Sequence, residues 1–227
     1  MGAVRTKRKP RAVREQQMLD AAVQLFGQRG YMAASMDEIA ERAGVSKPLV
    51  YLYLNSKEDL FGACIRREAT ALTEAVRSKV RPDMPAERQL WEGLRAFFTH
   101  TAQHPEGWTV LHRQAHTQGE PFAAEVAAVR AEFIAFVAQL ILAAARDRAA
   151  PCARGDGGPG ERHVPALPEH EATGLAEALV GAAESLAAWA NATPGVTAHQ
   201  AAATLMNFAW AGLGNLMEGR AWSPSAA

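Results

Sequence analysis

The chain reads as all-α: a small helix-turn-helix head followed by a larger helical body. Three observations predict this. Apolar residues recur at three- and four-residue spacing, and no segment alternates apolar and polar in the manner of a half-buried strand. Prolines 85, 105, 121 and 168 each stand where a helix can begin, the position at which a missing N–H costs nothing. Finally, the stretch SMDEIAERAGVSKPLVYLYLNSKEDLF, from Ser35 to Phe61, holds two short capped helices joined by a tight turn and running into a third.

Taken in order, the first helix is expected from about Val13 to Arg29. Leu19, Ala22, Val23 and Phe26 share one face, and Gly30 ends it. Ser35 is a good N-cap, and Glu38 three residues later completes a capping box. Ile39, Ala40 and Ala43 form the inner face of that second helix, and Gly44 can turn left-handed at its end. Ser46 starts the third helix, with Pro48 tolerated in its first turn. Small Ala40, turning Gly44 and apolar Val50 have the spacing of a helix-turn-helix. Asn55 or Ser56 caps a longer helix that continues to about Val80 and stops before Pro82. Further helices are expected at about 85–104, 106–117, 121–148, 168–192 and 197–218. The Gly- and Pro-rich interval 149–168 reads as a loop, and its GDGGPG lacks the strand, Lys and Ser/Thr of a phosphate loop.

The third helix carries the chemistry. Val50 and Leu54 point one way, towards a core, while Lys47, Pro48, Tyr51 and Leu52 form a neighbouring arc that the core cannot use. Lys47 and Tyr51 suit phosphates and base edges; Pro48, Leu49 and Leu52 suit thymine methyls. Lys57 sits at a helix N-terminus, where a phosphate is favoured. Ser35 and Ser46, at the two helix starts, are counted with these as candidate DNA-binding residues.

The stretch from Arg14 to Phe61 resembles the DNA-binding domain of the tetracycline-repressor (TetR) family of bacterial transcription regulators. The residues that carry the resemblance are LFGQRGY (Leu25 to Tyr31), SMDEIAERAGVS (Ser35 to Ser46) and VYLYLNSKEDLF (Val50 to Phe61). The resemblance implies that the helix after Gly44 enters the major groove, and that Lys47, Leu49, Tyr51, Tyr53 and Lys57 touch bases or phosphates. Leu52 and Ala34 depart from the family pattern, which often has a polar or aromatic residue at the first position and threonine at the second. Three regions are expected: a basic arm over 1–12, the DNA-binding domain over 13–60, and an effector-binding and dimerisation domain over 61–222. The implied function is a regulator, expected as a repressor that binds a palindromic operator as a homodimer and is released by a small molecule.

Two features of the body bear on that expectation. The helices LAEALVGAAESLAAWA and AAATLMNFAWAGLGNLM are apolar almost all round, which suits a subunit interface built on Leu179, Ala182, Leu186, Leu205, Phe208, Gly212 and Leu213. The resemblance also implies dimerisation through the last two helices. The middle helices concentrate aromatic residues, and the resemblance assigns a small-molecule pocket to that region. Trp91, Phe98, Trp108, His112 and Phe133 are its expected lining, suited to an apolar or weakly polar effector. The pairs His100/His104 and His112/His116 are each four apart, so a metal-responsive regulator of the same fold is the alternative; no metal or other cofactor is expected.

Lys plus Arg equals Asp plus Glu, 24 against 24, so net charge says nothing of partners. Its distribution does: Arg5, Lys7, Arg8, Lys9, Arg11 and Arg14 form a basic run without an acid, a footprint for phosphate. Cys64 and Cys152 make no CxxC pattern, and no secretory segment or apolar run of spanning length is read, so a cytoplasmic protein without membrane association is expected. GxSxG, HExxH, Walker and dinucleotide fingerprints are all missing, so an enzyme is not expected.

Overall fold

The computed structural model describes residues 10–114, 118–149 and 167–217. Among these residues every regular element is helical. The helices are α1 (Arg11–Arg29), α2 (Met36–Ala43), α3 (Lys47–Leu54), α4 (Lys57–Arg77), α5 (Ala86–Gln103) and α6 (Pro105–Thr109). A π-helical turn, Val110–Gln114, follows, and then α7 (Phe122–Ala149), α8 (Glu169–Ala192) and α9 (Ala198–Met217). The helix expected over 106–117 is therefore interrupted: α-geometry ends at Thr109, and the chain continues in wider π turns to Gln114. The arm over residues 1–9, most of the 149–168 loop, and His116 lie outside the described residues.

The chain divides into two compact units, Met1–Ala71 with His104–Ala127, and Leu72–Gln103 with Ala128–Ala227. The first is larger than a 13–60 domain because α6, the π turn and the first turns of α7 join it. Its core gathers Met18, Leu25 and Phe26 of α1, Ile39 of α2, Val50 of α3, and Leu60, Phe61 and Ile65 of α4, with Val110 and Phe122 from the later segment. Four rings interlock at its centre. Phe61 meets Phe26 edge-on at 5.0 Å and Phe122 edge-on at 4.8 Å, and Tyr31 lies 4.8 Å from Phe61 and 5.6 Å from Phe122. Edge-to-face and tilted pairs of this kind add to simple area burial.

Two glycines let α6 dock. A Cβ on Gly27 of α1 would lie 2.6 Å from Glu106 Cβ, and one on Gly107 would collide with the Glu68 carboxylate of α4. That carboxylate is buried but not unpaired: Arg67 donates to it through Nε at 2.9 Å and Nη2 at 2.7 Å, and reaches Asp20 of α1 through Nη1 at 2.7 Å. Arg67 thereby ties α1 to α4 on the side where α6 lies.

In the second unit α9 lies along α5 and against α8. Ile134, Ala138, Ile141 and Leu142 of α7 meet Ala172, Ala176 and Val180 of α8, where alanines permit close approach. Arg130 of α7 crosses to α8, donating to Glu177 at 2.8 Å and to Glu184 at 3.2 Å. One expectation needs correcting here. Phe122–Arg146 is long and apolar enough to cross a membrane by length and composition. In the structure its apolar positions 134, 138, 141 and 142 are buried in the contact with α8.

Candidate nucleic-acid interface

The helix-turn-helix is built by local rules. Ser35 Oγ accepts from the Glu38 N–H at 3.2 Å, while the Glu38 carboxylate accepts from the Ser35 N–H at 3.2 Å and from its hydroxyl at 3.0 Å. Those hydrogen bonds, with Arg29 beside the carboxylate, hold Glu38 below the usual carboxylate range. Gly44 takes φ 65°, ψ 36° and closes α2, so the corner needs a residue without a Cβ penalty. At the next start Ser46 has N-cap backbone geometry, yet its side chain makes no cap hydrogen bond. Ser56 is the cap of α4, its hydroxyl accepting from the Asp59 N–H at 2.9 Å.

On α3 the two faces separate as the periodicity predicts. Val50 and Leu54 are buried, whereas Lys47, Pro48, Tyr51 and Leu52 are exposed, Leu52 at 73% and Tyr51 at 40%. Leu49 is half-buried. Tyr53 is also half-buried, with the Arg11 guanidinium 5.0 Å above its ring, so the start of α1 covers it. Met32, before α2, adds another exposed apolar side chain. An exposed apolar and aromatic cluster flanked by cations is what base methyls and sugar–phosphate require together.

The cations are held by partners. Lys47 Nζ donates to Asp37 Oδ2 at 2.8 Å, and that hydrogen bond raises the lysine pKa. Lys57 Nζ lies 4.6 Å over the Tyr31 ring and donates to the Met32 carbonyl at 3.4 Å. Tyr31 in turn has its phenol pushed up to about 12, first by burial and then by its hydrogen bond to Glu58. The Tyr31–Lys57 stacking and the Asp37–Lys47 pair are long-range contacts that helical periodicity does not reveal.

The aromatic residues of the body do not share one site. An apolar cavity of about 90 Å³ lies wholly within the second unit. Its lining includes Val76, Leu94, Phe97, Phe133, Phe136, Val137, Ile141, Leu179, Trp210 and Leu213, and no charged side chain. Of the five residues expected there, Phe133 lines it; Trp91, Phe98, Trp108 and His112 do not. Trp91 is half-buried against His199, ring centroids 5.3 Å apart, and Phe98 is buried edge-on to Phe97. Trp108 and His112 belong to the first unit, where their rings stack at 4.9 Å. Helical spacing identifies an apolar face but not which neighbour it meets.

Among the described residues no group of three or more His, Cys, Asp or Glu side chains is placed to hold a metal. His104 is the N-cap residue of α6, and His112 is stacked on Trp108. Of the residues expected at a subunit interface, Leu205 and Leu213 are buried within this chain. Leu179, Ala182 and Leu186 are half-buried, Gly212 is exposed, and Phe208 is 77% exposed. Trp189 of α8, 52% exposed, joins Phe208 of α9 as a large exposed apolar side chain, and periodicity gave no sign of it.

Comparison with known proteins places this geometry. Residues 18–64 match the model for bacterial regulatory proteins of the tetR family, and residues 86–157 match a tetracyclin repressor-like C-terminal domain. The chain is 31% identical over 216 residues to the HTH-type transcriptional activator FasR of Mycolicibacterium smegmatis, covering 95% of this chain and 90% of FasR. It is 30% identical over 198 residues to the HTH-type transcriptional regulator EthR of the same organism, covering 85% and 82%. Among solved structures, a TetR-like transcriptional regulator from Rhodococcus sp. RHA1 superposes with a TM-score of 0.71 at 36% identity, over 91% of this chain and 99% of that one. FadR from Bacillus subtilis, solved in complex with stearoyl-CoA, shares the fold with a TM-score of 0.67 at 14% identity, over 86% and 96%. The chain belongs to the tetR family of bacterial regulatory proteins, which are DNA-binding transcription regulators.

Proposed function

We propose that the protein regulates transcription as a homodimer whose hold on a near-palindromic operator is set by an apolar ligand in the cavity of the second unit. The observation that carries the DNA contact is the α3 arc of Lys47, Pro48, Tyr51 and Leu52, which stays exposed while Val50 and Leu54 fill the core beneath it. Two such helices in a dimer would read successive major grooves about 34–36 Å apart. Lys57, at the start of α4, supplies a phosphate contact rather than a base contact. Exposed Phe208 and Trp189 support association through α8 and α9. Such a protein works where the bacterial chromosome is, in the cytoplasm.

The cavity defines the effector class. The lining has no charged side chain, and Gln89 and Trp210 are its polar members, so a buried carboxylate or phosphate would lack a charged partner and the occupant is uncharged and apolar, or apolar along the part it buries. The stearoyl-CoA of the Bacillus subtilis FadR structure is an example of a molecule with such a part. Val76 near the end of α4 lines the cavity, and Lys57 begins the same helix, so a ligand that displaces Val76 tilts the helix and shifts the reading heads. By linkage, the ligand weakens operator affinity by the factor by which operator weakens ligand affinity.

We read the protein first as a repressor that its ligand releases from the operator. The second reading, an activator, is favoured by the name of FasR, a relative aligned over nearly the whole chain. A promoter–reporter strain with and without the gene separates them, since deletion raises expression for a repressor and lowers it for an activator. The ligand reading is tested by operator binding across a panel of uncharged apolar compounds, using native protein and Ala183→Leu, which fills part of the cavity. The filled variant should keep operator binding and lose its response. Equal responses would put the ligand elsewhere.

A further inference from the structure

We propose that Asp37 restrains DNA binding: it holds Lys47 against the recognition helix and so weakens the electrostatic grip of the protein on duplex DNA of any sequence. The inference rests on the reading of Lys47 as a DNA contact. Asp37 stands in the first turn of α2 and Lys47 is the first residue of α3, so their 2.8 Å ion pair bridges the two halves of the helix-turn-helix.

Both side chains are open to solvent, Lys47 at 45% and Asp37 at 69%. An exposed pair contributes little to folding stability, so a phosphate or a base edge can draw Lys47 away. Non-specific binding is almost wholly electrostatic, and a lysine already neutralised by a carboxylate displaces fewer counterions from the duplex. The carboxylate also repels the phosphates that Lys47 would meet. Asp37 therefore lowers affinity for duplex DNA whatever its sequence.

No other acid in α2 is so placed. Glu38 is engaged by Ser35 and Arg29, and Glu41 is exposed with no ion pair among those of the described residues. Glu41→Gln thus removes the same charge from the same helix without freeing Lys47, and serves as the control for generic electrostatics. Because Asp37 lies on the surface and its carboxamide keeps its shape, Asp37→Asn leaves the fold intact.

The experiment measures binding of a random-sequence duplex by full-length native protein, Asp37→Asn, Glu41→Gln, Lys47→Gln and the Asp37→Asn/Lys47→Gln pair across a salt series. Asp37→Asn should tighten binding by roughly two- to fivefold per protomer and steepen the log–log salt slope by up to about one unit per protomer. Glu41→Gln should do less, and the gain should vanish when Lys47 is glutamine. A gain no larger than that of Glu41→Gln, or one that survives in the double variant, overturns the proposal while leaving Lys47 as a DNA contact. If Lys47→Gln itself binds as the native protein does, both the proposal and the reading beneath it fall.

Discussion

Replacing Gly27 by alanine tests how α6 is held to the DNA-binding head. A Cβ at that position would lie 2.6 Å from Glu106 Cβ, 2.7 Å from its Cα and 2.9 Å from its carbonyl oxygen. Comfortable carbon–carbon contacts are about 3.5–4.0 Å, so the helices must separate by up to about 1 Å. Two of the three atoms are backbone, and the third is fixed to it, so no rotamer change relieves the clash. Overpacking of this kind costs about 1–3 kcal/mol, and the better helix propensity of alanine returns at most about 1 kcal/mol. The expected net result is a loss of up to about 2 kcal/mol, against the gain that an unhindered Gly→Ala change gives. Gly174 of α8 is the contrast: beyond its own chain neighbours and helix backbone, nothing lies within 4 Å of where a Cβ would stand, so Gly174→Ala should stabilise by about 0.5–1 kcal/mol. Urea unfolding at one fixed protein concentration, read as midpoint and slope, measures both. A Gly27→Ala protein stabilised as much as Gly174→Ala, with unchanged slope, would refute the view that α1 and α6 are in hard contact.

Three further outcomes are expected. Lys57→Ala should weaken binding to all duplexes about equally and flatten the salt slope by roughly one unit per protomer, whereas Tyr51→Ala should change which operator is preferred; competition binding with operator variants separates the two. Phe208→Asp should give a folded monomer by sedimentation, because Phe208 is 77% exposed in the single chain; Leu213→Asp should unfold the protomer, since Leu213 is already buried in it. The raised pKa of Tyr31 means that the folded state holds the phenolic proton more tightly than the unfolded state. Its contribution is complete below the ordinary value of 10.0 and is lost as pH rises towards about 12, so the decline in stability across that window should be shallower in Tyr31→Phe.

Features that depend on residues a few positions apart were legible without a structure. The Ser35–Glu38 capping box, the left-handed Gly44 and the inward Val50 and Leu54 follow from helix geometry within one or two turns. The proline starts at 105 and 168 and the ends of most helices fall within a few residues of expectation, for the same reason. The π turn after Thr109 carried no such local mark.

What the sequence by itself determined is therefore the helical class, the helix-turn-helix and which face of α3 turns outward, because backbone hydrogen bonds and side-chain periodicity are local. Tertiary structure alone decided the pairings. Phe122 completes the ring cluster of Phe26, Tyr31 and Phe61, and Asp37 takes hold of Lys47. Phe133, rather than Trp91, Phe98, Trp108 or His112, faces the apolar cavity. A helical wheel shows that one side of a helix avoids water, but every apolar neighbour satisfies that demand equally. Only the packed chain, with Gly27 and Gly107 admitting α6 and alanines admitting α8, chooses among them.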